Sequence, residues 1–177
     1  IHSTGKLAGV WIAPFFAMKK CKLLIEHPEY FIRDKKGKLV KSHYNPMWGG
    51  FLYALDLSKD EVIDYVENHA RYISETWKFD FLKIDFIFCS EVLESDYAVK
   101  GYTRAQILRR GVEAVRRGMG PDKIILGCGA PLGPCIGVVD VMRIGTDTAS
   151  YWSMLEVSNK WFGVNVPALK PALVATV

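Results

Sequence analysis

Two periodicities alternate along the chain, and together they predict an α/β fold. Short apolar runs typical of buried strands occur at residues 9–15, 53–57, 81–88, 124–129 and 138–144. Apolar residues at helical spacing follow the second and third runs, as far as about Trp77 and Gly118. Ser58, with Glu61 three residues later, predicts a capping box for the first helix, and Thr103 is expected to cap the second. Strands and helices in this order pair in parallel, in a barrel or a doubly wound sheet.

The third run ends in two charged residues that point the same way. Lys83 and Asp85 are two positions apart, so they share one face of a strand, while Leu82 and Ile84 take the other. A cation and an anion on a core strand are costly to bury unless they are paired or used. One interpretation is a buried structural ion pair. The other is the floor of an active site, because the C-terminal ends of barrel strands line that site.

A second strand end repeats the arrangement. The run at 138–144 has Arg143 near its end, and Asp147 follows the run three residues later. Two carboxylates, each near a basic residue and each at the end of a different strand, are the minimal equipment for glycoside hydrolysis.

The positions of the polar residues favour a barrel over a doubly wound sheet. No GxGxxG or GxxxxGK[ST] motif occurs, which argues against a nucleotide-binding sheet. Polar or functional side chains instead collect at the ends of several predicted strands, as a barrel requires. They are Trp11, Asp56, Lys83, Asp85, Cys128, Arg143 and Asp147.

Composition excludes several classes of partner. The chain has 177 residues, of which 50% are hydrophobic and 24% charged, with a net charge of +4, so one core is expected. The densest basic cluster, residues 35–38, reads as a solvated turn, and no apolar run is long enough for a membrane span. We therefore expect neither a nucleic-acid nor a membrane partner.

The cysteines and histidines suggest no metal and no cofactor. Four cysteines lack CxxC spacing, and four histidines are isolated. Thiols in apolar segments are typical of a reducing compartment, so a cytoplasmic location is expected.

Five segments in order resemble glycoside hydrolase family 36, the α-galactosidases related to raffinose-synthase-like enzymes. They read GVWIAPF at 9–15, YALDLS at 53–58, FLKIDF at 81–86, LGCGAPL at 126–132 and MRIGTD at 142–147, and HPEY at 27–30 looks like a further family loop.

The resemblance implies a (β/α)8 TIM barrel that is incomplete in this chain, with about strands 2 to 6 present. Residues 1–177 would form the central part of the catalytic domain, without the family's flanking domains. The family's first strand brings acidic residues that hold galactose, and nothing here matches them. Both termini look cut, and a barrel with open edges is expected to self-associate as a homo-oligomer or to be part of a longer enzyme.

The resemblance also implies roles for six residues in a retaining α-galactosidase. Asp85 would be the nucleophile and Asp147 the acid/base. Lys83 and Arg143 would bind the substrate, Cys128 would line the sugar pocket, and Trp48 would stack on or cap the sugar. The expected reaction is hydrolysis of terminal α-linked galactose from an α-galactoside oligosaccharide such as raffinose or melibiose.

Three other readings of these residues stay open. Lys83 could form a Schiff base in an aldolase-type barrel, with Asp85 as its proton partner. The chain could be an inactive half-barrel or a carbohydrate-binding fragment. Transfer of the sugar to another sugar, in place of water, would make the protein a transglycosylase.

Overall fold

The strands that the structure describes form two sheets of different kinds. A computed structural model describes residues 1–46, 48–90, 92 and 96–145. The chain divides into two compact units, Ile1–Met142 and Arg143–Val177, and all the elements below belong to the first. Its strands are β1 (Gly9–Ile12), β2 (Phe16–Met18), β3 (Lys41–Asn45), β4 (Gly50–Ala54), β5 (Phe81–Ile84), β6 (Ile124–Gly127) and β7 (Val141–Met142).

Four α-helices and several short helical turns connect these strands. The α-helices are α1 (Lys22–Glu26), α2 (Asp60–Arg71), α3 (Arg104–Met119) and α4 (Leu132–Cys135). A π-helical turn, Tyr72–Thr76, extends α2, and 3-10 turns lie at His2–Thr4, Pro28–Tyr30 and Ile87–Ser90.

The first sheet is parallel and positions the candidate site. Its strand order is β1-β5-β6-β7. The register places Trp11 opposite Lys83, and Lys83 opposite Leu126, so these three residues share one face of the sheet. A parallel sheet with helical crossovers is the arrangement of a barrel segment, and the predicted α/β fold is therefore confirmed.

The other face of the parallel sheet is covered by α2 and α3. Leu82, Ile84 and Ile125 are fully buried there, in one apolar cluster with the inward faces of both helices. The two helices approach closely at Gly118, where a Cβ would overlap the carbonyl oxygen of Glu67. Because α2 and α3 cover this face, the opposite face, which carries Lys83, is the one on which a site can form.

The second sheet is antiparallel, and it corrects one expectation. Its order is β2-β4-β3. The strand expected at 53–57 begins earlier, as β4, and pairs antiparallel with β2 and β3 instead of joining the parallel sheet. The reason is tertiary: β2, which lies outside the predicted apolar runs, pairs with β4 and determines its direction. Apolar periodicity identifies a strand but does not give the direction in which it pairs.

The two predicted helix caps have opposite outcomes. Thr103 caps α3 as expected, and Gln106 completes a capping box. The capping box predicted at Ser58 is wrong, because α2 begins at Asp60 and its N-cap residue, Lys59, makes no side-chain cap. The Ser58 hydroxyl donates instead to Asp56 Oδ1, at 2.6 Å.

The basic turn and the cysteines of the first unit agree with the sequence. The basic segment at 35–38 forms a turn in which Gly37 has a φ of 78°. Three of the four cysteines, all of them in described ranges, are buried, and none is in a disulfide. Among the helices that the structure describes, none has the length and apolarity needed to cross a bilayer.

Candidate active site

Asp85 lies directly after β5, at the C-terminal end of the parallel sheet. Its relative exposure is 9%, and both carboxylate oxygens are hydrogen-bonded. The indole N–H of Trp11 donates to Oδ2 at 2.9 Å. The backbone N–H of Phe86 donates to Oδ1 at 2.7 Å. A buried carboxylate whose oxygens are both held by donors is fixed in orientation.

Lys83 is next to this carboxylate, on the face that its spacing predicted. Its Nζ lies 3.8 Å from Asp85 Oδ2, and its side chain keeps 31% of its exposure. The pair is therefore an ion pair at the mouth of the site and not in the apolar core. A cation in this position favours the ionised form of Asp85.

The environment of Asp85 determines its ionisation. Burial by itself raises the pKa of this carboxyl, but the donors around it outweigh that effect. The Cys128 thiol, the Trp11 indole, the Phe86 N–H and the charge of Lys83 together hold the pKa of Asp85 below its ordinary value. The group is thus an ionised carboxylate at neutral pH.

Cys128 reaches the carboxylate from the next strand. It follows β6, is fully buried, and its backbone N–H donates to Ile84 O at 2.9 Å. Gly129 comes next, with a φ of 51°. A Cβ at Gly129 would lie 3.5 Å from Asp85 Oδ1 and 3.2 Å from the ring of Phe88. The end of β6 thus forms a wall of the site that has little room for a larger side chain.

Five aromatic rings gather beside Asp85, and we refer to them as the aromatic cluster. The members are Trp11, Phe16, Trp48, Phe86 and Phe88. Trp48 stacks on Phe16, with ring centroids 5.6 Å apart and an interplanar angle of 27°. Trp11 and Phe88 keep 44% and 43% of their exposure, so part of the cluster faces outward. Apolar C–H faces of a sugar pack well on such rings.

Two residues near Asp85 were not identified from the sequence. Phe86 has a φ of 54°, and no sequence pattern announces a left-handed conformation in a non-glycine residue. Cys89 is buried, and burial together with the nearby charge of Asp85 raises its pKa to about 12. Its thiol is therefore protonated and not a nucleophile at neutral pH. Phe86 ends the motif that carries Lys83 and Asp85, and Cys89 follows three residues later. This proximity is the only signal in the sequence for either residue.

Asp56 is a strand-end carboxylate that has a structural role, because its hydrogen bonds hold neighbouring segments together. It is 2% exposed. Its Oδ1 accepts from the hydroxyl and the N–H of Ser58, and its Oδ2 accepts from the Ala98 N–H at 2.9 Å. These bonds tie the loop that follows the 3-10 turn after β5 to the start of α2.

The second predicted strand end belongs to the other compact unit. Arg143 is half-buried and begins that unit, of which the structure describes residues 143–145. Asp147, the predicted acid/base, lies outside the described residues. The structure therefore brings together Trp48, Lys83, Asp85 and Cys128, and the placement of Asp147 stays a prediction.

One cavity beside β1 does not have Asp85 in its lining. It measures about 160 Å³ and is lined mainly by apolar side chains from the β1–β2 turn and α2, with His69 among them. Burial lowers the pKa of His69. Within the described ranges, no group of three or more His, Cys, Asp or Glu side chains could hold a metal ion.

The chain is similar to solved α-galactosidases over nearly its whole length. It matches the α-galactosidase of Thermus thermophilus in complex with stachyose, with 30% identity over 99% of this chain and 36% of that one, and a TM-score of 0.81. The same enzyme in complex with p-nitrophenyl α-D-galactopyranoside gives 30% identity over 99% and 34% of the two chains, with a TM-score of 0.81.

A more distant match shows the fold alone. The family 36 α-galactosidase of Geobacillus stearothermophilus is 15% identical over 80% of this chain and 20% of that one, with a TM-score of 0.60. No family model matches the chain. This chain spans about a third of the length of the Thermus enzyme, and its parallel sheet corresponds to a part of the barrel.

Proposed function

We propose that this chain, which is similar to solved α-galactosidases, supplies the nucleophile side of a retaining α-galactosidase site. In this proposal Asp85 is the nucleophile and Asp147 the acid/base. The complete barrel would carry out the reaction, since this chain spans about a third of the length of the Thermus enzyme.

One observation carries the proposal: the way in which the Asp85 carboxylate is held. A glycosidase nucleophile has to be ionised, fixed and reachable from one face. Asp85 is buried at 9% exposure, receives donors from Trp11 and Phe86, and has Lys83 at 3.8 Å. A carboxylate serving only a structural ion pair would not need an indole and a thiol as additional donors.

The first chemical step forms an ester and releases the aglycone. An Asp85 oxygen bonds to the anomeric carbon as the bond from that carbon to the glycosidic oxygen breaks. The departing oxygen takes the proton of Asp147, so the aglycone leaves as a neutral alcohol. Lys83 stays beside the new ester, where its ammonium can donate to sugar hydroxyls.

The second step restores the enzyme with retention of configuration. Formation of the ester removes the negative charge of Asp85, so Asp147 loses its proton more easily and can act as a base. Asp147 then takes a proton from water, the water oxygen bonds to the anomeric carbon, and the Asp85 carboxylate leaves. Two displacements on opposite faces give net retention.

The proposed substrate is a terminal α-linked galactose on an oligosaccharide such as raffinose or melibiose. The aromatic cluster supports a sugar, because its exposed rings, Trp11 and Phe88, flank the carboxylate. The Thermus relative is described with bound stachyose, an α-galactoside. Trp48 is the ring that we expect to cap the sugar.

Covalent trapping tests the proposal directly. A fluorinated α-galactosyl fluoride slows hydrolysis of the ester, so the galactosyl-enzyme should accumulate on the complete protein. Peptide mass spectrometry should then find one added fluorogalactosyl group on the peptide containing Asp85. A second experiment tests the Schiff-base reading: borohydride reduction in the presence of a carbonyl substrate would have to attach that substrate covalently to Lys83. A label on another carboxylate would contradict our assignment.

A further inference from the structure

Phe86, the residue after the proposed nucleophile, has a backbone conformation that side chains rarely adopt. Its φ is 54°, in the left-handed region where a Cβ is crowded against the neighbouring carbonyl. Such a conformation persists only where the surrounding structure holds it in place. The other described non-glycine residue with a positive φ is Lys78, with a φ of 59°, in the turn before β5.

The conformation of Phe86 determines where its N–H points. The turn directs this N–H at Asp85 Oδ1, at 2.7 Å. The other oxygen, Oδ2, receives the indole N–H of Trp11 at 2.9 Å. The carboxylate is therefore held at both oxygens, and loss of either donor would leave it less firmly oriented.

The ring of Phe86 is the contact that can hold this turn. Its centroid lies 4.9 Å from that of Trp48, and it contacts the other three members of the aromatic cluster at 6.1–6.3 Å. These partners come from β1, β2, the β3–β4 turn and the segment after β5. Packing against four rings from separate segments fixes the side chain, and with it the backbone to which it is attached.

We propose that Phe86 is a positioning residue whose ring, clamped in the aromatic cluster, holds the left-handed turn that aims its N–H at Asp85. The proposal rests on the proposed role of Asp85 as nucleophile. Without the ring, the backbone relaxes to an ordinary negative φ, the N–H leaves Oδ1, and the carboxylate turns away from the Trp11 indole.

Alanine and glycine at this position separate the ring from the backbone. Phe86→Ala removes the ring and disfavours a positive φ, whereas Phe86→Gly removes the ring but leaves the left-handed turn accessible. In the complete protein we expect kcat/KM on p-nitrophenyl α-galactoside to fall about tenfold or more for Phe86→Ala, mostly in kcat, and less for Phe86→Gly. Phe86→Tyr should keep near-normal activity. Phe51→Ala, on β4 outside the cluster, is the matched control.

The pH profile distinguishes positioning from a general loss of structure. Losing hydrogen-bond donors destabilises the ionised form of Asp85 and raises its pKa. The acidic limb of kcat/KM should therefore move to higher pH in Phe86→Ala. Phe51→Ala should leave that limb in place. A variant that had merely lost folded protein would show a lower rate with an unchanged profile.

The indole resonance of Trp11 gives a second measurement that needs no activity. In a sample with ¹⁵N-labelled tryptophan, Trp11→Phe identifies this resonance. Phe86→Ala should shift the resonance and speed its exchange with water, because the bond to Asp85 weakens. Phe16→Leu loosens the cluster without altering residue 86 itself, so it should relax the turn in part and give a smaller shift in the same direction. This variant serves if Phe86→Ala does not fold.

The outcomes separate this inference from the proposed function. Wild-type kcat/KM, pH profile and Trp11 resonance in Phe86→Ala would overturn the clamp. If Phe86→Ala does not fold, an unmoved Trp11 resonance in Phe16→Leu would overturn it. Full activity in Asp85→Ala would overturn the proposed function, while the Trp11 resonance would still decide whether Phe86 positions the carboxylate.

Discussion

The indole N–H of Trp11 donates to the carboxylate of Asp85 at 2.9 Å, although 74 positions separate the two residues in sequence. Parallel pairing of β1 with β5 makes the contact possible, because it places Trp11 opposite Lys83. The bond joins the edge strand of the sheet to the proposed nucleophile. It also links the aromatic cluster to the electrostatics of the site, since Trp11 belongs to both.

Replacing Asp85 should abolish turnover. Both Asp85→Ala and Asp85→Asn remove the proposed nucleophile, so kcat of the complete protein on an aryl α-galactoside should fall by about 10³-fold or more. Azide should not restore activity with retained configuration. Asp64→Asn, an exposed position on α2, is the control for a lost carboxylate elsewhere. Near-normal activity in Asp85→Ala would remove the assignment.

The donors to Asp85 should set the acidic limb of the pH profile. The folded pKa of Asp85 lies below its ordinary value, so the carboxylate stays ionised, and the enzyme active, to lower pH than a free aspartate would. Trp11→Phe deletes one donor and should move the acidic limb of kcat/KM to higher pH. Trp77→Phe, which replaces an exposed tryptophan outside the aromatic cluster, should leave that limb in place. Identical limbs in both variants would show that the indole bond does not tune Asp85.

Asp147 should matter most for poor leaving groups. Asp147→Ala removes the proposed proton donor, so hydrolysis of raffinose should suffer far more than formation of the glycosyl-enzyme from p-nitrophenyl α-galactoside, whose leaving group departs without a proton. Added azide should then speed the second step and yield a galactosyl azide. Equal damage on both substrates, without rescue, would argue for a different acid/base.

The close approach of α2 and α3 should not tolerate a side chain at Gly118. A Cβ there would overlap Glu67 O and crowd Ala70, so Gly118→Ala should lower the free energy of unfolding by about 1–3 kcal/mol. Gly133→Ala is the control, since no heavy atom lies within 4 Å of its added Cβ. Urea titration of both variants measures the difference, and equal midpoints would mean that the helices move apart without cost.

The stabilisation that Asp80 provides should be lost in acid. Three groups donate hydrogen bonds to this carboxyl, and together they hold its pKa well below its usual range. They are the Lys123 ammonium, the Ala8 N–H and the His2 ring. Because the folded pKa is depressed, its stabilisation is complete above the unfolded pKa of about 4 and is lost as the pH falls below it. Asp80→Asn should thus be less stable than the wild type at pH 7, with the gap closing below about pH 4. A gap independent of pH would contradict this.

Local rules predicted much of the site from the sequence. The period of a strand placed Lys83 and Asp85 on one face, and the structure has them 3.8 Å apart. Thr103 was a correct cap because its partner, Gln106, lies three residues later on the same turn. Rules that depend on neighbours in sequence succeed where the tertiary structure adds no competing partner.

The misses have tertiary causes. Ser58 has the right spacing for a cap, but buried Asp56 competes for its hydroxyl. The strand at 53–57 became part of an antiparallel sheet because its direction depends on β2, which the periodicity did not reveal. The left-handed turn at Phe86 packs against Trp11, Phe16 and Trp48, which lie far away in sequence, so no local pattern announces it. Asp147 lies outside the described residues, so its role stays a prediction.

The register of β1 against β5 also has a consequence for the order in which the molecule assembles. α2 and α3 are formed by local contacts, whereas β1 must find β5 across about seventy residues, a pairing of high contact order that is slow. Until that pairing forms, Asp85 lacks the Trp11 donor and titrates more like a free side chain. We expect competence for catalysis to be a late folding event. The difference in fluorescence between the wild type and Trp11→Phe during refolding should therefore appear after the far-UV circular dichroism has recovered.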